Sequence, residues 1–122
     1  MGDRANIYVV DTDDATHGIY LYSHWGGEKF LTTDLRKALE FGRGRWNDPQ
    51  YLTRIVISQI FMDSHDALTG AGVSTEIGDN SHHVTILDVH AGQVGWAAAG
   101  SERDRNAWRG MATFDQFCAV AA

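Results

Sequence analysis

Ile7-Tyr-Val-Val10 and Ile19-Tyr-Leu-Tyr22, separated by the turn-rich Asp11-Thr-Asp-Asp-Ala-Thr-His-Gly18, decide how this chain folds. Both runs are short and rich in β-branched and aromatic residues, which marks strands. Their closeness makes an antiparallel hairpin the expected pairing. Neither run alternates apolar with polar residues. Such strands belong near the middle of a sheet, or in one covered on both faces.

After Gly27 the period changes. Leu31, Leu35, Ala38 and Leu39 fall on one helical face, with Thr32 or Thr33 expected to cap the start and Gly42 to end it. Asn47-Asp48-Pro49 restarts a helix, with Asp48 as cap and Pro49 in the first helical position. Leu52, Ile55, Val56, Ile60 and Phe61 give it a buried stripe. Beyond the break Leu68-Thr-Gly-Ala-Gly72, a short strand is expected around Val73, Thr75 and Ile77. A clear strand, His83-Val-Thr-Ile-Leu-Asp-Val89, turns at His90-Ala-Gly-Gln93 and returns through Val94-Gly-Trp96. Residues 97–110 read as polar and mobile. Thr113-Phe-Asp-Gln116 has capping-box spacing and predicts a terminal helix that docks Phe114 and Phe117. The order predicts an α+β fold, a mainly antiparallel sheet of about five strands with two or three helices packed on it. At 122 residues, a single globular domain over 1–122 is expected.

The formal charge is −6 and the arginine groups are short, Arg43/Arg45 and Arg103/Arg105/Arg109, the second interrupted by Asp104. That argues against a duplex nucleic-acid partner, which needs a basic face. The single cysteine, Cys118, fits a reducing compartment and sits in an apolar stretch, so a buried, inert thiol is expected. With no leader-like or long apolar run, the expected setting is cytoplasmic, without a membrane partner. No cofactor is implied, and a homo-oligomer is compatible with the composition.

Candidate chemistry centres on Ser23-His24-Trp25-Gly26-Gly27, where a strand opens into a loop. His24 can move a proton, Trp25 can stack a ring, and Gly26 and Gly27 would let a ligand approach the backbone. The hairpin brings Arg4 and Asn6 to the same end. Arg45 beside Trp46, with Arg54 on the following helix, suits a planar anion. Asp79, Asn80 and His82 enter from the second half. His82 and His83 are adjacent, so on a strand at most one would face a shared site, and no metal-ligand spacing accompanies them. His83-Val-Thr85 has the His-x-Thr form that one phosphoesterase superfamily uses twice, but no second copy is present.

Gly2-Asp-Arg-Ala-Asn6, Leu21-Tyr-Ser-His-Trp-Gly-Gly27 and Arg45-Trp-Asn-Asp-Pro-Gln-Tyr-Leu52 with Arg54 together resemble a family of small soluble proteins of actinobacteria and their phages. Gly72-Val-Ser-Thr75 and Asp79-Asn-Ser-His82 fit the same pattern, so the resemblance spans most of residues 2–89. It implies one intact domain and an actinobacterial or actinophage source, and carries no catalytic residues with it. The expected function is binding of a polar, anionic, nucleotide-like small molecule, with sequestration by a phage protein as one setting. A hydrolase or phosphodiesterase using His24 or His82 as acid/base is the second expectation. A protein-interaction or assembly module, anchored by Trp96 or Trp108, is the third.

Overall fold

The computed structural model describes residues 2–119. Strands β1 (Ala5–Val10), β2 (Ile19–Ser23), β3 (Ala71–Ser74), β4 (Val84–Asp88), β5 (Gln93–Ala97) and β6 (Arg109–Thr113) form one sheet in the order β3-β2-β1-β4-β5-β6. The β1–β2 hairpin sets Ile7 opposite Leu21 and Ala5 opposite Ser23. β2–β3, β4–β5 and β5–β6 are also antiparallel. β1 and β4 run parallel, Ile7 beside Thr85 and Val9 beside Leu87. The sheet is therefore mixed and six-stranded, which corrects the expectation of about five mainly antiparallel strands. β1 and β4 are buried along their whole length. The apolar run Ile7–Val10 and the apolar Val84, Ile86 and Leu87 of β4 match a central parallel pair covered on both sides.

The helices lie on one face. Gly27–Lys29 (α1) passes through a widened π-helical stretch, Phe30–Asp34, into Leu35–Phe41 (α2). The helix thus begins before Thr32, whose hydroxyl donates to the Glu28 carbonyl (2.7 Å) instead of capping. Pro49–Ile60 (α3) starts on its proline as expected, but Asp48 makes no side-chain cap bond. Leu35, Leu39, Leu52 and Val56 bury against Ala5, Ile7, Val9, Leu21 and Leu87. Phe114–Ala119 (α4) closes this face. Its capping box forms as expected: Thr113 N–H donates to Gln116 Oε1 (2.9 Å), and Gln116 N–H to Thr113 Oγ1 (3.1 Å).

The opposite face buries Tyr8, Val10, Tyr20, Val84 and Ile86 beneath Ala15 and Trp108. Residues 97–110 are anchored there, where the sequence reads as mobile. Trp108 and Glu102 are buried, and Trp108 Nε1–H donates to the Glu102 carbonyl (2.7 Å). The Tyr20 hydroxyl donates to the Glu102 carboxylate (2.6 Å). Arg103 lies over the Tyr8 and Tyr20 rings and donates to the carbonyls of Thr16 and Thr75 (each 2.6 Å). Arg109–Thr113 pairs only with β5 and lacks alternation, so its sequence gives little sign of a strand. No helix among the described residues is long and apolar enough to cross a membrane.

Candidate functional site

The start of β1 collects nine of the sequence-marked residues around two loops. Asn6 is fully buried. Its amide donates to the carbonyls of Gly78 (3.3 Å) and Asp79 (3.0 Å) and to Asn80 Oδ1 (3.3 Å), and its Oδ1 accepts from Gly78 N–H (3.1 Å). Arg4 pairs with Asp79 (3.4 Å), and its carbonyl accepts from Ser81 N–H (2.8 Å). Arg4, Asn6, Asp79 and Asn80 thus hold one another, with Asn6 as the clamp of the loop before β4. His24 lies beside them: its ring Nδ1 is 2.9 Å from the Tyr22 hydroxyl, and its N–H donates to the Gly70 carbonyl (2.8 Å). The exposed Trp25 indole meets the His24 ring edge-on at 4.7 Å.

Gly26 and Gly27 serve internal packing. A Cβ on Gly26 would meet Phe30 Cβ at 2.5 Å and Ser23 Oγ at 2.7 Å. Gly27 has φ +51°, a conformation that favours glycine, and its missing side chain leaves the space that the Asp3 carboxylate occupies, 1.8 Å from a built Cβ. Asp3 Oδ1 in turn lies 2.6 Å from His82 Nε2. Asp3 is the residue that couples the Gly-Gly turn to the second-half histidine.

Arg45, Trp46 and Arg54 are not brought to this end. Trp46 Nε1–H donates to the Leu39 carbonyl (2.9 Å), and its ring packs on Phe114 at 5.3 Å. Phe114 N–H bonds Gly92 O in the β4–β5 turn, and that turn follows the end of β4 that lies beside Val10. Arg45 lies over Tyr51 (5.1 Å) and 4.0 Å from Asp48. Arg54 is exposed, one residue past Thr53, which faces Val9 and Asp11. The single corner expected from sequence is therefore two, at opposite ends of β1. α3 sets the separation, since its twelve residues span about 18 Å at the α-helical rise of ~1.5 Å per residue.

The largest cleft, about 550 Å³, opens on the helix face above β4 and β5. Glu28, Leu31 and Thr32 form one wall, Ser81 and His82 the end, and His83, Thr85 and Trp96 the floor. Strand alternation explains the floor. Thr85 pairs with Ile7 and Trp96, and all three face the helices, while Val84 and Ile86 face away. His82 and His83 both line the cleft, which corrects the expectation that only one could. β4 begins at Val84, so His82 sits in the preceding loop, where strand alternation does not apply.

The His83 and Trp96 rings lie in tilted contact, centroids 4.3 Å apart and planes 35° apart. Gly110, at φ +61°, makes room for the indole: a Cβ there would come within 2.9 Å of Trp96 Nε1. Trp96 remains 40% exposed. A smaller slot of about 240 Å³ lies under Trp25 against Phe30, Ile60, Phe61 and Gly70. No group of three or more metal-type side chains gathers among the described residues.

Comparison with family models, curated proteins and solved structures finds no match. Sequence reading places His82 at the site but leaves Asp3, Glu28, His83, Thr85 and Trp96 outside the candidate set. His-x-Thr and the exposed tryptophan were the available signals for the floor. Nothing local signalled Glu28, which reaches the cleft only through tertiary packing.

Proposed function

We propose that this protein binds a small, polar, ring-bearing molecule in the cleft above β4 and β5. The observation that carries this reading is the tilted His83–Trp96 ring pair, with its indole 40% exposed, in a cavity of about 550 Å³. Ligand sites of ~300–1,000 Å³ commonly combine such aromatic surface with a few convergent polar groups. Glu28, Thr32, Ser81, His82 and Thr85 supply those groups here. Native mass spectrometry of protein isolated without denaturation from the cells that make it tests the reading. A stoichiometric extra mass, absent from Trp96→Ala, supports it. A retained mass that persists in Trp96→Ala contradicts the assignment to this cleft.

A second reading is acid/base chemistry, favoured by the Asp3–His82 contact of 2.6 Å. A carboxylate that holds one imidazole nitrogen fixes the ring's orientation and leaves the other for proton transfer. Hydrolysis of a nucleotide or phosphodiester panel, with and without divalent metal, would support it if His82→Gln abolished turnover. Absence of turnover across the panel would count against it.

A further inference from the structure

We infer that the ligand of the His83–Trp96 cleft is a small planar cation, an amidinium, guanidinium or protonated amino-heterocycle, and not a phosphate or carboxylate. This rests on the cleft being a ligand site and names the class of ligand it takes. Among the described residues, its walls hold no lysine or arginine. Arg4 pairs with Asp79 and does not line the cleft.

The charges that do face the cleft favour a cation. Glu28 is exposed on its wall and makes no ion pair among the described residues. His82 already has the Asp3 carboxylate beside it at 2.6 Å, so a proton on its ring would add no unmatched positive charge. Thr32, Ser81 and Thr85 place hydroxyls around the same space, able to accept from N–H groups. The Trp96 face carries the negative side of an aromatic quadrupole, and a planar cation laid on it gains from both stacking and charge. An anion would meet the Glu28 carboxylate, with no lysine or arginine on the walls to offset the repulsion.

The test uses benzamidinium and benzoate, which share a shape and differ in charge, together with inorganic phosphate. Each is titrated at low ionic strength into the intact ¹⁵N-labelled protein, and the Trp96 indole N–H resonance, assigned with Trp96→Phe, is followed. Benzamidinium is expected to shift it in a saturable manner and to bind at least about fivefold more tightly than benzoate, the scale of one partly exposed charge pair. Glu28→Gln, a change at an exposed side chain, is expected to remove about that same factor for benzamidinium and to strengthen, not weaken, benzoate binding. Benzoate or phosphate moving the resonance while benzamidinium does not would overturn the ligand class and leave the cleft as a binding site. Equal binding of benzamidinium by wild type and Glu28→Gln would also overturn the class. A Trp96 resonance unmoved by every probe overturns the cleft reading itself.

Discussion

Asp3 and His82 meet at 2.6 Å although 79 positions separate them in the chain, and Asp3 occupies the space that Gly27 leaves free. A methyl group at residue 27 would collide with the Asp3 carboxylate and would strain a backbone at φ +51°. Gly27→Ala should therefore cost about 1–3 kcal/mol in urea unfolding. It should also shift the His82 ring resonances in the same direction as Asp3→Asn. Gly44→Ala is the control, since a Cβ there meets nothing within 4 Å, and it should stay within about 0.5 kcal/mol of wild type.

Asn6 is the buried clamp of the loop that delivers His82. Replacing it with alanine strands the Gly78 N–H and the carbonyls that its amide satisfies. Asn6→Ala should lose about 1–3 kcal/mol, the cost of leaving buried polar groups unpaired. It should also speed amide exchange across residues 78–82. Unchanged exchange would mean that the loop is held elsewhere.

The Tyr20–Glu102 pair predicts an alkaline weakness. Burial first, and then the hydrogen bond and charge of Glu102, push the Tyr20 hydroxyl well above the ordinary tyrosine range; burial also raises Tyr8. A raised folded-state value stabilises fully below the unfolded value of about 10 and is lost as pH climbs through the folded one. Unfolding free energy should therefore fall as pH rises above about 10. Tyr20→Phe should flatten that fall and cost about 1–3 kcal/mol at pH 7, because the Glu102 carboxylate loses a donor. Parallel pH profiles for the two proteins would remove Tyr20 as the cause.

Cys118 should be a slow thiol. Burial, then the hydrogen bond and charge of Glu40, push it up to about 11. At pH 8 roughly one molecule in a thousand then carries the reactive thiolate, against roughly one in four for a free cysteine. Modification by a disulfide reagent should be about 250-fold slower in the folded protein than in urea. Equal rates would mean that the thiol is open to solvent.

What the sequence revealed follows from the range of the interactions involved. The β1–β2 hairpin, the helix from Pro49 and the Thr113–Gln116 capping box are local, and local signals describe them well. The parallel pairing of Ile7 with Thr85 joins distant segments, and only the unbroken apolar run Ile7–Val10 hinted at it. β6 is an edge strand whose Arg-Gly-Met-Ala-Thr lacks a period of two. The nearness of Arg4 and Asn6 to His24 was legible because hairpin register sets Ala5 opposite Ser23, whereas the clamp on Asp79 and Asn80 depends on long-range packing. The division between the His24 and Trp46 corners was not, because it depends on the direction in which α3 lies across the sheet. The cleft joins residues 28–32, 81–85 and 96–99, and no single segment contains its chemistry.

The decisive measurement is a crystallographic soak with a set of small ring-bearing fragments. Fragment density should lie on Trp96, within reach of Glu28 and His82, and should be lost in Trp96→Ala. Fragments that fill the slot under Trp25 and leave the His83–Trp96 cleft empty would contradict the assignment of the site to that cleft.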